Sequence, residues 1–168
     1  MARILVTGSA GFMGSWVARA LKDRGHRVFG ADSMVGGRNT VVGVPLLVGD
    51  LDDNSFARHV VDATKPEILV HMASDPREGA SWYRVDSVAR NNHGAFSSIL
   101  EACLRRGLEK LCLFSSMVVY GAQLPPFTED MTPQPAYPYG VNKAAMELLA
   151  RQVARAFGLQ WVIIRPQN

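Results

Sequence analysis

The sequence predicts one α/β domain built on a doubly wound parallel sheet. Short runs rich in Val, Ile and Leu recur along the chain without polar alternation, as in strands that are buried on both faces. Longer segments with helical spacing separate these runs, and this alternation of strand and helix is typical of the fold class. A chain of 168 residues, 48% hydrophobic and 20% charged, suits a single domain with its own core.

Six strands are expected in the apolar runs, which lie at Arg3–Thr7, His26–Ala31, Pro45–Val48, Glu67–Met72, Lys110–Ser115 and Gln160–Arg165. Four helices are expected where apolar residues recur three and four positions apart, at Gly11–Arg24, Ser55–Ala63, Val85–Arg106 and Tyr139–Phe157. Between the last two helices, the stretch 121–138 holds five of the nine prolines. It is interpreted as a long surface loop over a site.

Composition argues against several classes of function. The net charge of +3 is mild and the basic residues are scattered, so nucleic-acid binding has little support. Cys103 and Cys112 lie in apolar surroundings, which fits a reduced cytosolic protein better than a disulfide framework. The sequence opens without a signal-peptide core, and no apolar stretch approaches the roughly 20 residues that span a membrane. We therefore expect a cytoplasmic protein without a membrane partner.

The stretch TGSAGFMG at 7–14 joins the first strand to the first helix. In such a turn Gly8 allows a tight bend, Gly11 lets the backbone approach a ligand, and Gly14 lets the helix pack on the strand. The free N–H groups and the positive end of the helix then face a phosphate. We expect a dinucleotide pyrophosphate here, although a glycine-rich turn without a ligand is the alternative for this motif alone.

A carboxylate follows at the end of the second strand. Asp32 lies eighteen residues past Gly14, where it could accept hydrogen bonds from an adenosine ribose. This position favours NAD, because a carboxylate repels the 2′-phosphate of NADP. Arg38 lies near enough to leave NADP open, and the plain alternative for Asp32 is an exposed acid at a strand end.

Tyr139 and Lys143 are four residues apart and so share one face of a helix. A tyrosine with its ordinary pKa of about 10 is a poor base at neutral pH, and a neighbouring cation would stabilise its phenolate. By itself the pair is better explained as a solvated pair on a helix surface. Ser116 follows the fifth strand, at the carboxyl end where open α/β sheets place their ligands.

Several separated motifs together resemble the extended short-chain dehydrogenases/reductases, also called the NAD-dependent epimerase/dehydratase family. Besides TGxxGxxG, they are GDLDD at 49–53, HMAS at 71–74, NNHG at 91–94, FSSMVVYG at 114–121, YPYGVNK at 137–143 and RPQN at 165–168. They stand in the family's order and rough spacing along the whole chain. The resemblance implies a Rossmann fold and a catalytic set of Ser116, Tyr139 and Lys143.

The resemblance also assigns binding residues. Asp50 and Leu51 would meet the adenine, Ala73 would line the cofactor channel, and Asn91 would hold a local irregularity and a water. The full cofactor set is Gly8, Gly11, Phe12, Met13, Gly14, Asp32, Asp50, Leu51, Ala73, Asn91, Ser115, Tyr139 and Lys143. The residues implied at the substrate are Ser116, Tyr139 and Asn168. No metal is expected, since His71 and His93 have no second ligand at zinc spacing.

The implied chemistry is transient oxidation of a sugar at C4 of a nucleotide sugar, with a UDP-sugar as the expected substrate. In the family's 4,6-dehydratases, Asp and Glu usually follow the catalytic serine or threonine, whereas Met117 and Val118 stand here and cannot transfer protons. A 4-epimerase needs no further acid or base, so epimerisation is favoured, and decarboxylation of a nucleotide-sugar acid stays open.

Family members run to about twice this length, so we expect residues 1–168 to form the NAD-binding domain and to lack the family's C-terminal substrate domain. A dinucleotide-binding module without turnover is the alternative from another class of function. The helices Val85–Arg106 and Tyr139–Phe157 could form a homodimer interface, as is common in the family, or could pack on the sheet instead.

Overall fold

Six parallel strands form one sheet in the computed structural model, which describes residues 1–167. The strands are β1 (Arg3–Thr7), β2 (Arg27–Asp32), β3 (Leu46–Val48), β4 (Ile68–His71), β5 (Lys110–Phe114) and β6 (Gln160–Ile164). Their order across the sheet is β3-β2-β1-β4-β5-β6, and every neighbouring pair is parallel. This is the Rossmann order, so the predicted doubly wound fold is confirmed.

The helices lie between the strands, as the sequence predicts. They are α1 (Phe12–Asp23), α2 (Asn54–Thr64), α3 (Val85–Ala89), α4 (Ala95–Leu104) and α5 (Pro138–Phe157), with short 3₁₀ turns at Gly79–Tyr83 and Met117–Tyr120. α5 begins after an extended Tyr137, carries proline at its first position and ends at a left-handed Gly158, a usual start and stop for a helix. None of the helices in residues 1–167 is both long and apolar enough to cross a membrane.

The helical segment predicted over Val85–Arg106 is present from Val85 to Leu104, and it contains the local irregularity that the resemblance implies. A turn of π-helix at Arg90–Gly94 separates α3 from α4. The side-chain amide of Asn92 donates to the carbonyl of Val88, 2.8 Å away, which is the carbonyl that the main chain of a regular α-helix would use at this position. π-Turns of this kind are frequent at functional sites.

Apolar side chains cover both faces of the sheet, because successive residues of a strand point to opposite sides. One core packs Leu5, Leu69 and Leu111 against Phe96 and other side chains of the helices. The opposite core is smaller, and its buried members are Ile4, Val6, Ala18, Val28, Val41 and Val70.

β6 departs from the predicted burial. It is the outermost strand next to β5, and its side chains Trp161 and Val162 are 45% and 49% exposed. A strand at the edge has a neighbour on one side only, so an apolar composition does not guarantee burial there. Apolar side chains Val141 and Leu148 are likewise exposed on α5, and a dimer contact through that helix stays a prediction.

Because the strands are parallel, the carboxyl ends of the adjacent strands β1, β4 and β5 lie side by side at one edge of the sheet. The chain adds β2 and β3 on one side of β1 and then crosses back to add β4, β5 and β6 on the other side, so the strand order reverses between β1 and β4. In open α/β sheets, ligands bind in the crevice outside the strand ends at this switch point. The glycine turn, the HMAS motif and Ser116 all follow these three strands.

Gly14 allows α1 to lie directly against the turn that follows β1. A Cβ added to Gly14 would lie 2.0 Å from the carbonyl oxygen of Gly8, a backbone atom that cannot move aside without distorting the turn. We expect Gly14→Ala to lower the free energy of unfolding by about 3 kcal/mol, through overpacking. Urea denaturation measures the change.

Gly36→Ala is the matched control, because a Cβ added to Gly36 would meet no atom within 4 Å. Its free energy of unfolding is expected to equal or slightly exceed that of the parent chain, since alanine restricts the unfolded chain. Equal stability of the two variants would contradict the close packing of α1 on the turn.

Candidate active site

The glycine turn is held against the loop that follows β4. Gly8 has a φ of 69°, in the left-handed region that glycine adopts at little cost, and its N–H donates to the carbonyl of Ala31 at 2.8 Å. A Cβ on Gly8 would lie 2.7 Å from the backbone nitrogen of Ala73. The backbones after β1 and β4 are therefore in direct contact, and a side chain between them would push them apart.

The first turn of α1 has the features of an anion site. Gly11 is its N-cap residue and has no side chain that could cap the helix, so the N–H groups of the first turn remain available to a ligand. These donors and the positive end of the helix favour a phosphate. Phe12 and Met13 are 77% and 47% exposed. Both lie in this first turn, where their backbone N–H groups are the atoms that could bind the predicted cofactor.

Asp32 lies at the end of β2 and contacts the glycine turn. One carboxylate oxygen accepts from the N–H of Ala10 at 2.9 Å, and the other accepts from the N–H of Met34 at 2.7 Å. Asp32 is buried, so it is not the exposed strand-end acid of the alternative interpretation. Each carboxylate oxygen has a second lone pair, which leaves capacity for a hydroxyl donor such as a ribose.

Three further residues that the resemblance assigns to the cofactor, Asp50, Leu51 and Ala73, lie in different environments. Asp50 is exposed after β3, and one of its carboxylate oxygens accepts from the N–H of Asp52 at 3.0 Å. The side chain of Leu51 is inside the larger core, so any contact with an adenine would have to come from its backbone. Ala73 is half-buried, and its N–H donates to the hydroxyl of Thr7 at 3.3 Å.

The predicted catalytic side chains converge at the carboxyl end of β5. Ser116 caps the 3₁₀ turn after the strand, where its hydroxyl accepts from the N–H of Val118 at 3.3 Å. Tyr139 and Lys143 lie in the first two turns of α5, with the Lys143 Nζ 5.7 Å from the centre of the Tyr139 ring. Lys143 Nζ also donates to the carbonyl of Phe114 at 2.9 Å. The lysine is thus anchored to the last residue of β5.

Burial acts on both titrating groups. It lowers the pKa of Lys143 to about 8, while the nearby carboxylate of Glu147 works in the opposite direction. Burial also raises the pKa of Tyr139 above its ordinary value, and hydrogen bonds from Ser74 and Ser116 oppose that rise. In the chain without ligands the tyrosine is therefore a neutral phenol at neutral pH. A positive charge brought to the site would favour the phenolate.

A buried ion pair below Lys143 is a feature that the sequence analysis missed. Glu147 accepts from Arg165 through both of its carboxylate oxygens, at 2.9 and 2.7 Å. Arg165 in turn donates to the hydroxyl of Tyr120 at 2.9 Å. Burial raises the pKa of Glu147, but the side chains of Arg165, Ser115 and Arg151 together outweigh it and hold the pKa below its usual range. The i,i+4 spacing of Tyr139, Lys143 and Glu147 could have indicated the carboxylate.

The π-turn brings a different asparagine into the site from the one predicted. Asn92 is fully buried, and its side-chain oxygen accepts from the hydroxyl of Ser74 at 2.7 Å and from the N–H of Asp75 at 3.1 Å. Asn91 is only half-buried, and a hydrogen bond from its side chain helps to keep the pKa of Asp75 low. The predicted irregularity is present, but Asn92 holds it. The NN dipeptide in the sequence was the available signal, and the family resemblance pointed to the first of its two asparagines.

Nε2 of His71, the last residue of β4, is buried and has no hydrogen-bond partner among residues 1–167. His71 uses its other ring nitrogen with Thr7, at 2.9 Å, and burial lowers its pKa to about 3, so it is neutral. The same range contains no cluster of three His, Cys, Asp or Glu side chains arranged to hold a metal ion. Asn168, the third predicted substrate residue, lies outside the described residues.

These features fit a dinucleotide. The uncapped first turn of α1 supplies donors for a pyrophosphate, and Asp32 retains free lone pairs for a hydroxyl. At the end of β4, the buried Nε2 of His71 has no hydrogen-bond partner among residues 1–167. These donors and acceptors lie at the ends of the adjacent strands β2, β1 and β4.

The ion pair of Glu147 and Arg165 is expected to stabilise the catalytic end of the sheet. Both side chains are less than 10% exposed, so Glu147→Gln leaves the guanidinium of Arg165 without its buried counter-charge. We expect the free energy of unfolding to fall by about 3 kcal/mol, measured by urea denaturation.

Glu101→Gln serves as the control, because Glu101 and Arg105 form an exposed i,i+4 pair on α4. Water solvates both members of that pair, so its loss should leave stability nearly unchanged. A similar small effect at Glu147 would show that the buried pair is not a stabilising contact.

Comparison with known proteins identifies the family. The family model described as the NAD dependent epimerase/dehydratase family matches residues 4–168. A UDP-glucose 4-epimerase from Azospirillum brasilense is 34% identical over 169 aligned positions, which cover 99% of this chain and 49% of that protein.

Solved structures agree. A Thermus thermophilus UDP-glucose 4-epimerase in complex with NAD superposes with a TM-score of 0.92 at 30% identity, over 97% of this chain and 54% of that one. A Thermotoga maritima UDP-glucose 4-epimerase with UDP-glucose also gives 0.92, at 28% identity, over 96% and 54%. The chain thus spans about half the length of the relatives it matches. It belongs to the NAD-dependent epimerase/dehydratase family.

Proposed function

We propose that this chain binds NAD along the carboxyl ends of β1, β4 and β5, and that it carries the catalytic residues of a UDP-sugar 4-epimerase. The observation that carries the proposal is the convergence of Ser116, Tyr139 and Lys143 beside the glycine turn. The relatives with about 30% identity are named UDP-glucose 4-epimerases, which supports the same substrate class here.

Three side chains of this chain each have one role in the proposed reaction. Tyr139 takes the proton from the sugar 4-hydroxyl and later returns it, while Ser116 donates a hydrogen bond to the reacting oxygen. Lys143 supplies a fixed positive charge that stabilises the phenolate of Tyr139. NAD, when bound, supplies reversible acceptance of a hydride from C4. The 4-keto sugar turns over in the site and is reduced on its other face.

The residues after Ser116 support epimerisation over dehydration. Met117 and Val118 carry no group that could remove or deliver the proton needed for loss of water. Epimerisation needs only the proton transfer at Tyr139. Decarboxylation of a nucleotide-sugar acid also begins with oxidation at C4, so it is the nearest enzymatic alternative.

A module that binds NAD without turnover is the second candidate function. The observation in its favour is that the chain spans about half the length of its relatives. Residues 1–167 contain the proposed cofactor site and all three proposed catalytic side chains. The two candidates therefore differ in nucleotide-sugar binding and turnover, not in NAD binding.

One experiment separates these candidates. The 168-residue chain is titrated calorimetrically with NAD and with UDP-glucose, and the products formed from UDP-glucose and UDP-glucuronate are identified by NMR. Heat of NAD binding with conversion of UDP-glucose to UDP-galactose is expected for the epimerase. NAD binding without nucleotide-sugar binding supports the module, carbon dioxide release from UDP-glucuronate supports the decarboxylase, and absence of NAD binding overturns the proposal.

Removal of the tyrosine hydroxyl tests the base. We expect Tyr139→Phe to lower turnover by at least about 100-fold, since a general base contributes at least that factor. NAD affinity should change little, because the ring remains. Stopped assays of UDP-galactose formation measure the loss, and calorimetry measures NAD binding in the same variant.

Tyr83→Phe is the control for that substitution. Tyr83 is 93% exposed in the 3₁₀ turn before α3, so loss of its hydroxyl should leave turnover at the parent level. Retained turnover in Tyr139→Phe would assign the base to another residue.

A further inference from the structure

Ser74 ends the HMAS motif and has no role in the mechanism described so far. Its hydroxyl oxygen lies 3.5 Å from the hydroxyl oxygen of Tyr139 and 2.7 Å from the side-chain oxygen of Asn92. The amide oxygen of Asn92 can only accept, so Ser74 donates its proton there. Ser74 thus joins the proposed base to the π-turn between α3 and α4.

Asn92 is held rigidly enough to set the position of Ser74. Its side-chain oxygen accepts a second hydrogen bond, from the N–H of Asp75, and its nitrogen donates to the carbonyls of Val88 and Asp75 at 2.8 and 3.3 Å. The residue is fully buried. Every donor and acceptor of the amide is therefore used, and the loop after β4 is fixed to the helix.

We propose that Ser74 is a second hydroxyl partner of Tyr139, alongside Ser116, and that Asn92 is the residue that positions it. The proposal rests on the proposed function in one respect only, namely that Tyr139 is the base. Ser74 touches the reacting atom of that base, and Asn92 acts through Ser74.

The proton positions explain what Ser74 contributes. While Tyr139 is a neutral phenol, the hydroxyl of Ser74 donates to Asn92, and its 3.5 Å contact with the phenol oxygen is too long to be a strong hydrogen bond. When Tyr139 becomes a phenolate, the hydroxyl of Ser74 rotates and donates to it. Asn92 then keeps the N–H of Asp75 as a donor, so its oxygen is not left without a partner. The hydrogen bond to the phenolate is charge-assisted and stronger than the neutral bond to Asn92 that it replaces, so Ser74 favours the phenolate.

The charges around Tyr139 make such a partner useful. Lys143, on α5, has its ammonium nitrogen 5.7 Å from the ring centre and favours the phenolate. Glu78 and Asp75, both from the segment after β4, raise the pKa of the tyrosine. Asp75 is partly neutralised by Arg77, which donates to both of its carboxylate oxygens at 2.6 and 2.7 Å. A donor on this side of the ring offsets the carboxylates that face it.

Titration of Tyr139 in the ligand-free chain tests the proposal. The chain is labelled with 3-fluorotyrosine, whose phenol is more acidic than that of tyrosine and so titrates at milder pH. Four tyrosines give four ¹⁹F signals, and Tyr139→Phe identifies the relevant one. We expect Ser74→Ala to raise the pKa of residue 139 by about half a unit to one unit, the shift that one neutral hydrogen bond is worth.

Two variants accompany Ser74→Ala. Ser97→Ala removes a half-buried hydroxyl on α4 that lies 3.4 Å from His93 Nδ1, and it should leave the Tyr139 titration unchanged. Ser74→Thr keeps the hydroxyl and should restore the parent titration. An unchanged titration in Ser74→Ala overturns the proposal, as does an equal shift in Ser97→Ala.

The measurement needs neither cofactor nor substrate, so its failure is distinct from failure of the proposed function. A shifted titration in a chain that does not bind NAD supports the Ser74 contact and contradicts the proposed function. An unshifted titration in a chain that epimerises UDP-glucose does the reverse. In an active chain, the acidic limb of the kcat/KM profile in Ser74→Ala should move to higher pH by the same half to one unit.

Discussion

The attachment of α5 to the carboxyl end of β5 is the constraint on which the catalytic geometry depends. Lys143 donates to the carbonyl of Phe114, and one turn further along the helix Glu147 binds Arg165 at the end of β6. Both contacts are buried, and in a medium of low dielectric neither carboxylate nor guanidinium can be left unpaired without a large cost. These contacts therefore fix the position of α5 on the sheet, and the position of Tyr139 on that helix is fixed with it.

The ion pair of Glu147 and Arg165 also lies close enough to Lys143 to affect its charge. Burial lowers the pKa of Lys143 to about 8, and the negative charge of Glu147 limits the fall. A lysine that lost its proton could not stabilise a phenolate, so the carboxylate that anchors the helix also helps to preserve the charge that the proposed mechanism needs. Arg165 balances Glu147 and reaches Tyr120 in the turn that Ser116 begins. The ion pair thus joins α5, which carries Tyr139 and Lys143, to the turn that Ser116 begins.

The cofactor side depends on backbone instead of side chains. Gly8 and Gly14 allow the turn after β1, the start of α1 and the loop after β4 to meet at distances that a Cβ would prevent. Asp32 completes the arrangement by accepting two backbone N–H groups. Backbone atoms of the chain form this half of the site, and the free N–H groups at the start of α1 make it suited to a phosphate.

Much of the fold follows from local pattern, and the failures have identifiable causes. The alternation of buried strands and helices along the sequence did not predict the edge position of β6 or the π-turn at Arg90–Gly94. The first depends on which strand has a neighbour, and the second depends on a side chain taking the carbonyl of Val88. The family resemblance pointed to Asn91, whereas Asn92 occupies the buried position in the π-turn.

The sequence alone determined the fold class and the glycine turn, because each is a local pattern along the chain, and the family resemblance pointed to Ser116, Tyr139 and Lys143. Only the tertiary structure decided the partners of those residues. Glu147 with Arg165, and Ser74 with Asn92, are separated by eighteen residues in each case. Such contacts form because the strand order brings distant segments to one edge of the sheet, and periodicity along the chain carries no information about them.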